Sequence, residues 1–189
     1  MNGTDDVLGF WFGPEDGPDF GDMRKAWFRS TAAFDTEFET RFAEAHRRAG
    51  AGELDDWMAS PAGCLALIVL LDQFPRNVFR GTARAYATDA KARAVAGHAL
   101  QEGFERGLNR VQQIFLYMPF QHSEDRDDQT RSVALFDSLG METAAHSAKE
   151  HFETVDRFGR FPHRNAALAR ASTPEEREYL KTAKSWGQG

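Results

Sequence analysis

The stretch Ser60-Pro61-Ala62-Gly63-Cys64-Leu-Ala-Leu-Ile-Val-Leu-Leu71-Asp72-Gln73-Phe74-Pro75-Arg76-Asn77 decides the fold of this 189-residue chain. Ser60 is a residue type that accepts a hydrogen bond from a free N–H at a helix start. Pro61 then fits the first helical position, where no N–H is needed. Cys64 to Leu71 is apolar on every side, as expected of a helix enclosed by other helices. A buried strand is the competing reading, because periodicity cannot separate the two here. The cap at Ser60 and the Leu/Ala content favour helix. The apolar run Ala62–Leu71 is half the length of a membrane-spanning helix, which needs about 20 residues.

The flanking sequence reads the same way. Phe34, Phe38, Phe42, Ala45 and Ala49 form one apolar stripe that ends near Gly50–Gly52. Thr82 is read as opening an alanine-rich helix that Gly103 ends. Val111–Met118 is a further helix. Ser123 is read as the cap of the next, with Glu124 and Asp125 in its first turn. Ala145, Ala148, Phe152 and Val155 mark another stripe, and Thr173-Pro174-Glu175-Glu176 is a capping box. Strand alternation and Asn-Gly hairpin signals are absent. Asp5–Gly21 is the loosest segment, yet Phe10-Trp11-Phe12 within it should dock on the core.

Three apolar stretches reach proline pairs, Phe74-Pro75, Met118-Pro119 and Phe161-Pro162, spaced by 44 and 43 residues. Proline disfavours helical geometry in the residue before it, so each pair is expected to end a helix. A period of roughly 40–47 residues belongs to stacked helix pairs. The expected architecture is all-α: one domain over 1–189, a helical bundle of stacked helix pairs.

The motifs resemble those of the bacterial family called domain of unknown function 924. The resemblance rests on Leu71-Asp-Gln-Phe-Pro-Arg-Asn77 with Phe79-Arg-Gly-Thr82, on Tyr117-Met-Pro-Phe-Gln-His-Ser-Glu-Asp125, and on Arg157-Phe-Gly-Arg-Phe-Pro-His-Arg-Asn165. Phe10-Trp-Phe-Gly13 and Trp27-Phe28 match its opening. Arg126 and Asp127 depart from it, standing where a more apolar pair is expected. The resemblance implies a tetratricopeptide-like helical fold and supplies no activity.

Net charge is −6, with no basic block, which argues against nucleic acid. The lone Cys64 cannot form an internal disulfide, and the polar start, Met1–Asp6, lacks the features of a signal peptide. A cytoplasmic protein is expected, without membrane association. Oligomeric state is not legible.

Polar residues cluster around each proline pair. If the helix ends share one edge of the stack, a site for a small anionic ligand forms there. Its expected lining is Asp72, Gln73, Arg76, Asn77, Arg80, Ser123, Gln129, Arg160, His163, Arg164 and Asn165, with Asp125 and Arg157 nearby. Guanidinium forks suit carboxylate or phosphate. His122 and Glu124 are the candidates for proton transfer. The competing structural account is that Arg and Asn bind the free carbonyls of helix ends, and that Asp72 pairs with Arg76 four residues on. His122-Ser123-Glu124 is a poor triad, because neighbouring side chains on a turn point apart. No HExxH, CxxC or glycine-rich phosphate loop is present, so no metal or cofactor is expected. The alternative is a helical-repeat module that takes a protein or peptide partner in an apolar groove.

Overall fold

A computed structural model describes residues 3–17, 20–27 and 31–183. Met1, Asn2 and Phe28 lie outside them. The regular elements among the described residues are all helical, with no strand among them. The α-helices are α1 (Thr4–Phe12), α2 (Ala32–Ala51), α3 (Pro61–Ile68), α4 (Phe74–Val78), α5 (Asp89–Gln101), α6 (Arg110–Gln121), α7 (Arg126–Ser138), α8 (Glu142–Phe158) and α9 (Pro174–Tyr179). Among the described residues, no helix is long and apolar enough to cross a membrane.

The central helix forms as its sequence dictates. Ser60 Oγ accepts from Gly63 N–H, and every residue from Gly63 to Leu71 is buried. Around it pack the α2 stripe of Phe38, Phe42, Ala45 and Ala49, the α5 alanines, and Val111, Phe115 and Leu116 of α6. Phe10-Trp11-Phe12 docks as expected, as the end of α1, and the Trp11 ring meets Phe38 and Phe115 at 5.3 and 5.6 Å. Burying each such ring contributes about 1.5–3 kcal/mol.

The three proline pairs do not mark equivalent helix ends. At Phe74-Pro75 the chain stays helical, because Val69–Gln73 forms a π-turn in which Phe74 N–H bonds Val69 O, five residues back. Proline has no N–H for Leu71 O, four residues earlier. That carbonyl takes the Thr88 hydroxyl instead, and the neighbouring Leu70 O takes His46 Nδ1 at 2.8 Å. Pro119 lies inside α6, which runs on to Gln121. α8 has already ended at Gly159, in the left-handed region at φ +68°, before Phe161-Pro162 opens a 3₁₀ turn.

Two other starts differ from expectation. Ala83–Tyr86 is a 3₁₀ turn, so α5 begins at Asp89 and not at Thr82. Asp125, not Ser123, caps α7, accepting from Asp127 and Asp128 N–H. Ser123 Oγ instead accepts from Asp125 N–H and donates to Asp128.

Candidate functional site

The π-turn turns Asp72 toward the C-terminal end of α6, where it meets His122. His122 Nδ1 lies 2.8 Å from Asp72 Oδ1. Arg76, one helical turn after Asp72, sits 2.9 Å from the same carboxylate and also grips Asp89 with both Nη atoms, at 2.8 and 2.9 Å. Gln73 Nε2 donates to Asp72 Oδ2. Arg164, brought in by the 3₁₀ turn after α8, donates to His122 O at 2.8 Å and stands 3.6 Å from Asp89. The Tyr86 ring carries both guanidiniums, with Arg164 at 4.6 Å and Arg76 at 5.8 Å from its centroid. Residues from all three motifs therefore meet: Asp72, Gln73, Arg76, His122 and Arg164.

A second group adjoins the first. Glu124 holds Arg170 through two contacts of 2.7 and 2.9 Å and accepts from Phe161 N–H. Asn165 links Arg170 to Glu176, and Glu176 grips Arg160 through both oxygens. The Phe161 ring joins the two groups, lying 4.5 Å from Arg164 and 5.6 Å from the His163 ring. The only non-glycine residue with a left-handed backbone among those described, Ala169 at φ +53°, immediately precedes Arg170.

The remaining expected residues serve the backbone or surface. Gln129 is fully buried and caps α6 by donating to the carbonyls of Gln121 and Ser123. Asn77 donates to Gln73 O. Arg80 is exposed and pairs with Asp35, and Arg157 with Glu175. His122, Ser123 and Glu124 point to three different partners, so they form no triad.

Electrostatics sorts the proton-transfer candidates. Burial alone raises the Asp72 carboxyl, but Arg76 and His122 override it and hold it down at about 2. Burial, reinforced by Arg76, lowers His122, which is therefore neutral at pH 7. With Nδ1 facing an ionised carboxylate, its proton belongs on Nδ1 and the Nε2 lone pair is left open. Among the described residues Nε2 has no hydrogen-bond partner, and the side chain is 17% exposed. Glu124 is lowered by its bond to Arg170 against the effect of burial, so it stays ionised and engaged. Burial, then Arg76, brings Arg164 down to about 10, and its Nε is buried with no hydrogen-bond partner. Among the described residues, no three His, Cys, Asp or Glu side chains gather in a metal-ligating set. A separate cavity of about 400 Å³ between α8 and α9, bordered by Thr154, Phe158 and Tyr179, shares no lining residue with the cluster.

Sequence reasoning missed Asp89, Tyr86 and Arg170. Asp89 reads as an ordinary acid within the alanine-rich helix, and the other two sit in alanine-rich segments without a motif.

The chain belongs to the family described as bacterial protein of unknown function (DUF924), whose profile matches residues 7–184. It is similar to a solved structure described as protein of unknown function ATU0120 from Agrobacterium tumefaciens. The two are 46% identical, the match covers 95% of this chain and 97% of that one, and the TM-score is 0.86. No curated protein matches.

Proposed function

We propose that this member of the family binds a small monoanionic metabolite beside Arg164 and His122. The observation that carries the reading is Arg164 itself. It is buried, and among the described residues it has no carboxylate closer than 3.6 Å and one of its N–H donors is unused. Desolvating a guanidinium is costly unless an anion compensates it. The charges around it count against a dianion: Asp72 and Asp89 hold Arg76 closely, Asp89 reaches Arg164 only at 3.6 Å, and Glu124 balances Arg170. One added negative charge restores a close partner for Arg164 without leaving a second one buried and unpaired. Ligand access is through the half-buried rim of Tyr86, Asp89, His122 and His163.

The same reading takes the architecture as a tetratricopeptide-like stack of helix pairs and the setting as cytoplasmic, in keeping with a buried free thiol and an acidic composition. A protein-docking role has less support, since Met23 is the only exposed large apolar side chain among the described residues.

The test is thermal shift followed by calorimetry with acetate, succinamate, succinate and inorganic phosphate. Succinamate is expected to stabilise the protein more than phosphate, and Arg164→Lys to weaken that effect at least tenfold in affinity. A folded sample indifferent to all four anions would defeat the proposal.

A further inference from the structure

We infer that His122 is a general base that activates water to hydrolyse an acyl ester carrying one distant carboxylate, with Asp72 as its positioning residue. The inference rests on the anion-binding reading above.

The geometry singles out His122 among the described histidines. His46 and His98 face backbone carbonyls, at Leu70 and Met58. His151 is buried against Ser147 O and Gln121. His146 lies 3.5 Å from Glu150 on the exposed face of α8, and His163 packs its ring 5.6 Å from Phe161 with Nδ1 buried. His122 alone has its Nδ1 on a buried carboxylate while Nε2 is open at a partly exposed edge. A carboxylate on Nδ1 fixes the tautomer, holds the ring in place and stabilises the imidazolium that forms when Nε2 takes a proton. Asp72 cannot drift, because Arg76 and Gln73 hold both its oxygens.

The nucleophile follows by elimination. No hydroxyl or thiol of a described residue hydrogen-bonds Nε2. Ser123 is engaged with Asp128, Thr88 with Leu71 O, and Cys64 is buried in the core. The proton that Nε2 accepts therefore comes from water. Water gives its proton to Nε2 as its oxygen bonds to the acyl carbon. The acyl C–O bond to the leaving alcohol then breaks, and the imidazolium returns the proton to the departing alkoxide. One water is consumed, an acid and an alcohol are released, and no oxidant or reductant is needed. Arg164 would hold the substrate's carboxylate, which sets the preference for an anionic ester over a neutral one.

The experiment compares mono-4-nitrophenyl succinate with 4-nitrophenyl acetate as substrates of the whole chain. The succinate ester is expected to be hydrolysed with at least tenfold higher kcat/KM. Its rate should rise with pH on one ionisation below 6.5 and then level off, following His122. His122→Gln should lower kcat by roughly 100-fold or more, the usual scale of a positioned base. Asp72→Asn should lower kcat and also shift the pH midpoint, which a merely structural role would not do. Imidazole added to folded His122→Gly should restore part of the rate. If the protein binds succinamate but hydrolyses neither ester faster than buffer, or if His122→Gln keeps full activity, the inference is overturned while the binding proposal stands. If succinamate does not bind, the binding proposal fails first.

Discussion

Asp72 and His122 are fifty residues apart in the chain and 2.8 Å apart in the fold. The contact exists because a π-turn rotates Asp72 out of the α-helical register just where α6 ends. π-turns are rare and recur at functional sites, and this one delivers the one carboxylate of α3–α4 to the cluster.

Removing that charge should be costly. Asp72 is 1% exposed and shared by Arg76 and His122. Breaking a buried ion pair from one side costs roughly 3–5 kcal/mol. Asp89 still satisfies Arg76 in two places, so Asp72→Asn is expected near the lower end, about 3 kcal/mol. Urea unfolding followed by circular dichroism measures it. A loss under about 1 kcal/mol would show that Asp89 alone settles Arg76.

Acid should destabilise the fold through its buried imidazoles. Burial, aided by His122, brings His151 down to about 3, and burial, aided by Arg164, does the same to His163. In the unfolded chain both titrate near 6.5. Between about pH 6.5 and 3 these two imidazoles alone let the unfolded state bind up to two more protons than the native state, so their contribution to stability is full above 6.5 and falls with acidification. The limiting slope is about 2.7 kcal/mol per pH unit. Asp72 and Glu176, both held at about 2, add to the loss in the same direction below about pH 4. Replacing His151 with Gln should remove about one proton from that slope, as read from unfolding curves at several pH values. An unchanged slope would mean that His151 is protonated in the native state.

How much of this was legible in the sequence depended on how local its cause was. Ser60-Pro61, the Phe38/Phe42 stripe and the Thr173–Glu176 capping box act within a few residues, and each forms as read. Asp72–Arg76 is an i,i+4 pair and was readable for the same reason. The proline pairs were misread because proline forbids a hydrogen bond but not a helix. At Pro75 the freed carbonyls find partners in His46 and Thr88, from α2 and from the start of α5, and no local pattern reveals such partners. Asp89 and Arg170 were invisible for the same reason: each gains its meaning from a residue 13 or 46 positions away. Arg160 looked like an anion-binding fork, and its fork is taken by Glu176.

Gly63 should tolerate no side chain. A Cβ built there lies 1.9 Å from Trp57 O, far inside van der Waals contact, because the 3₁₀ turn at Asp55–Ala59 presses its backbone onto the first turn of α3. Backbone on both sides leaves nothing soft to yield. Gly63→Ala would gain up to about 1 kcal/mol of helix propensity in an open setting. Here it should instead cost more than about 2 kcal/mol, within the range for overpacking. A melting temperature equal to that of the parent would show that the turn can move away.

Thr88 should matter through its hydroxyl and not through its bulk. Its side chain would ordinarily cap α5, yet no such cap bond is present, because Oγ1 donates to Leu71 O. That carbonyl is one of the two freed at Pro75, and it belongs to the buried π-turn that presents Asp72. Thr88→Val keeps the shape and orphans the carbonyl, at a cost of about 1–3 kcal/mol. Thr88→Ser keeps the donor and should cost under about 1 kcal/mol, the loss of one methyl. The order matters more than either value. If the π-turn depends on this bond, Val is worse than Ser in unfolding measurements, and Val alone shifts the His122 imidazole resonances in an NMR spectrum, because Asp72 moves with the turn. Equal stabilities and unshifted resonances in both variants would mean that Pro75 and the packing around it set the π-turn without help from α5.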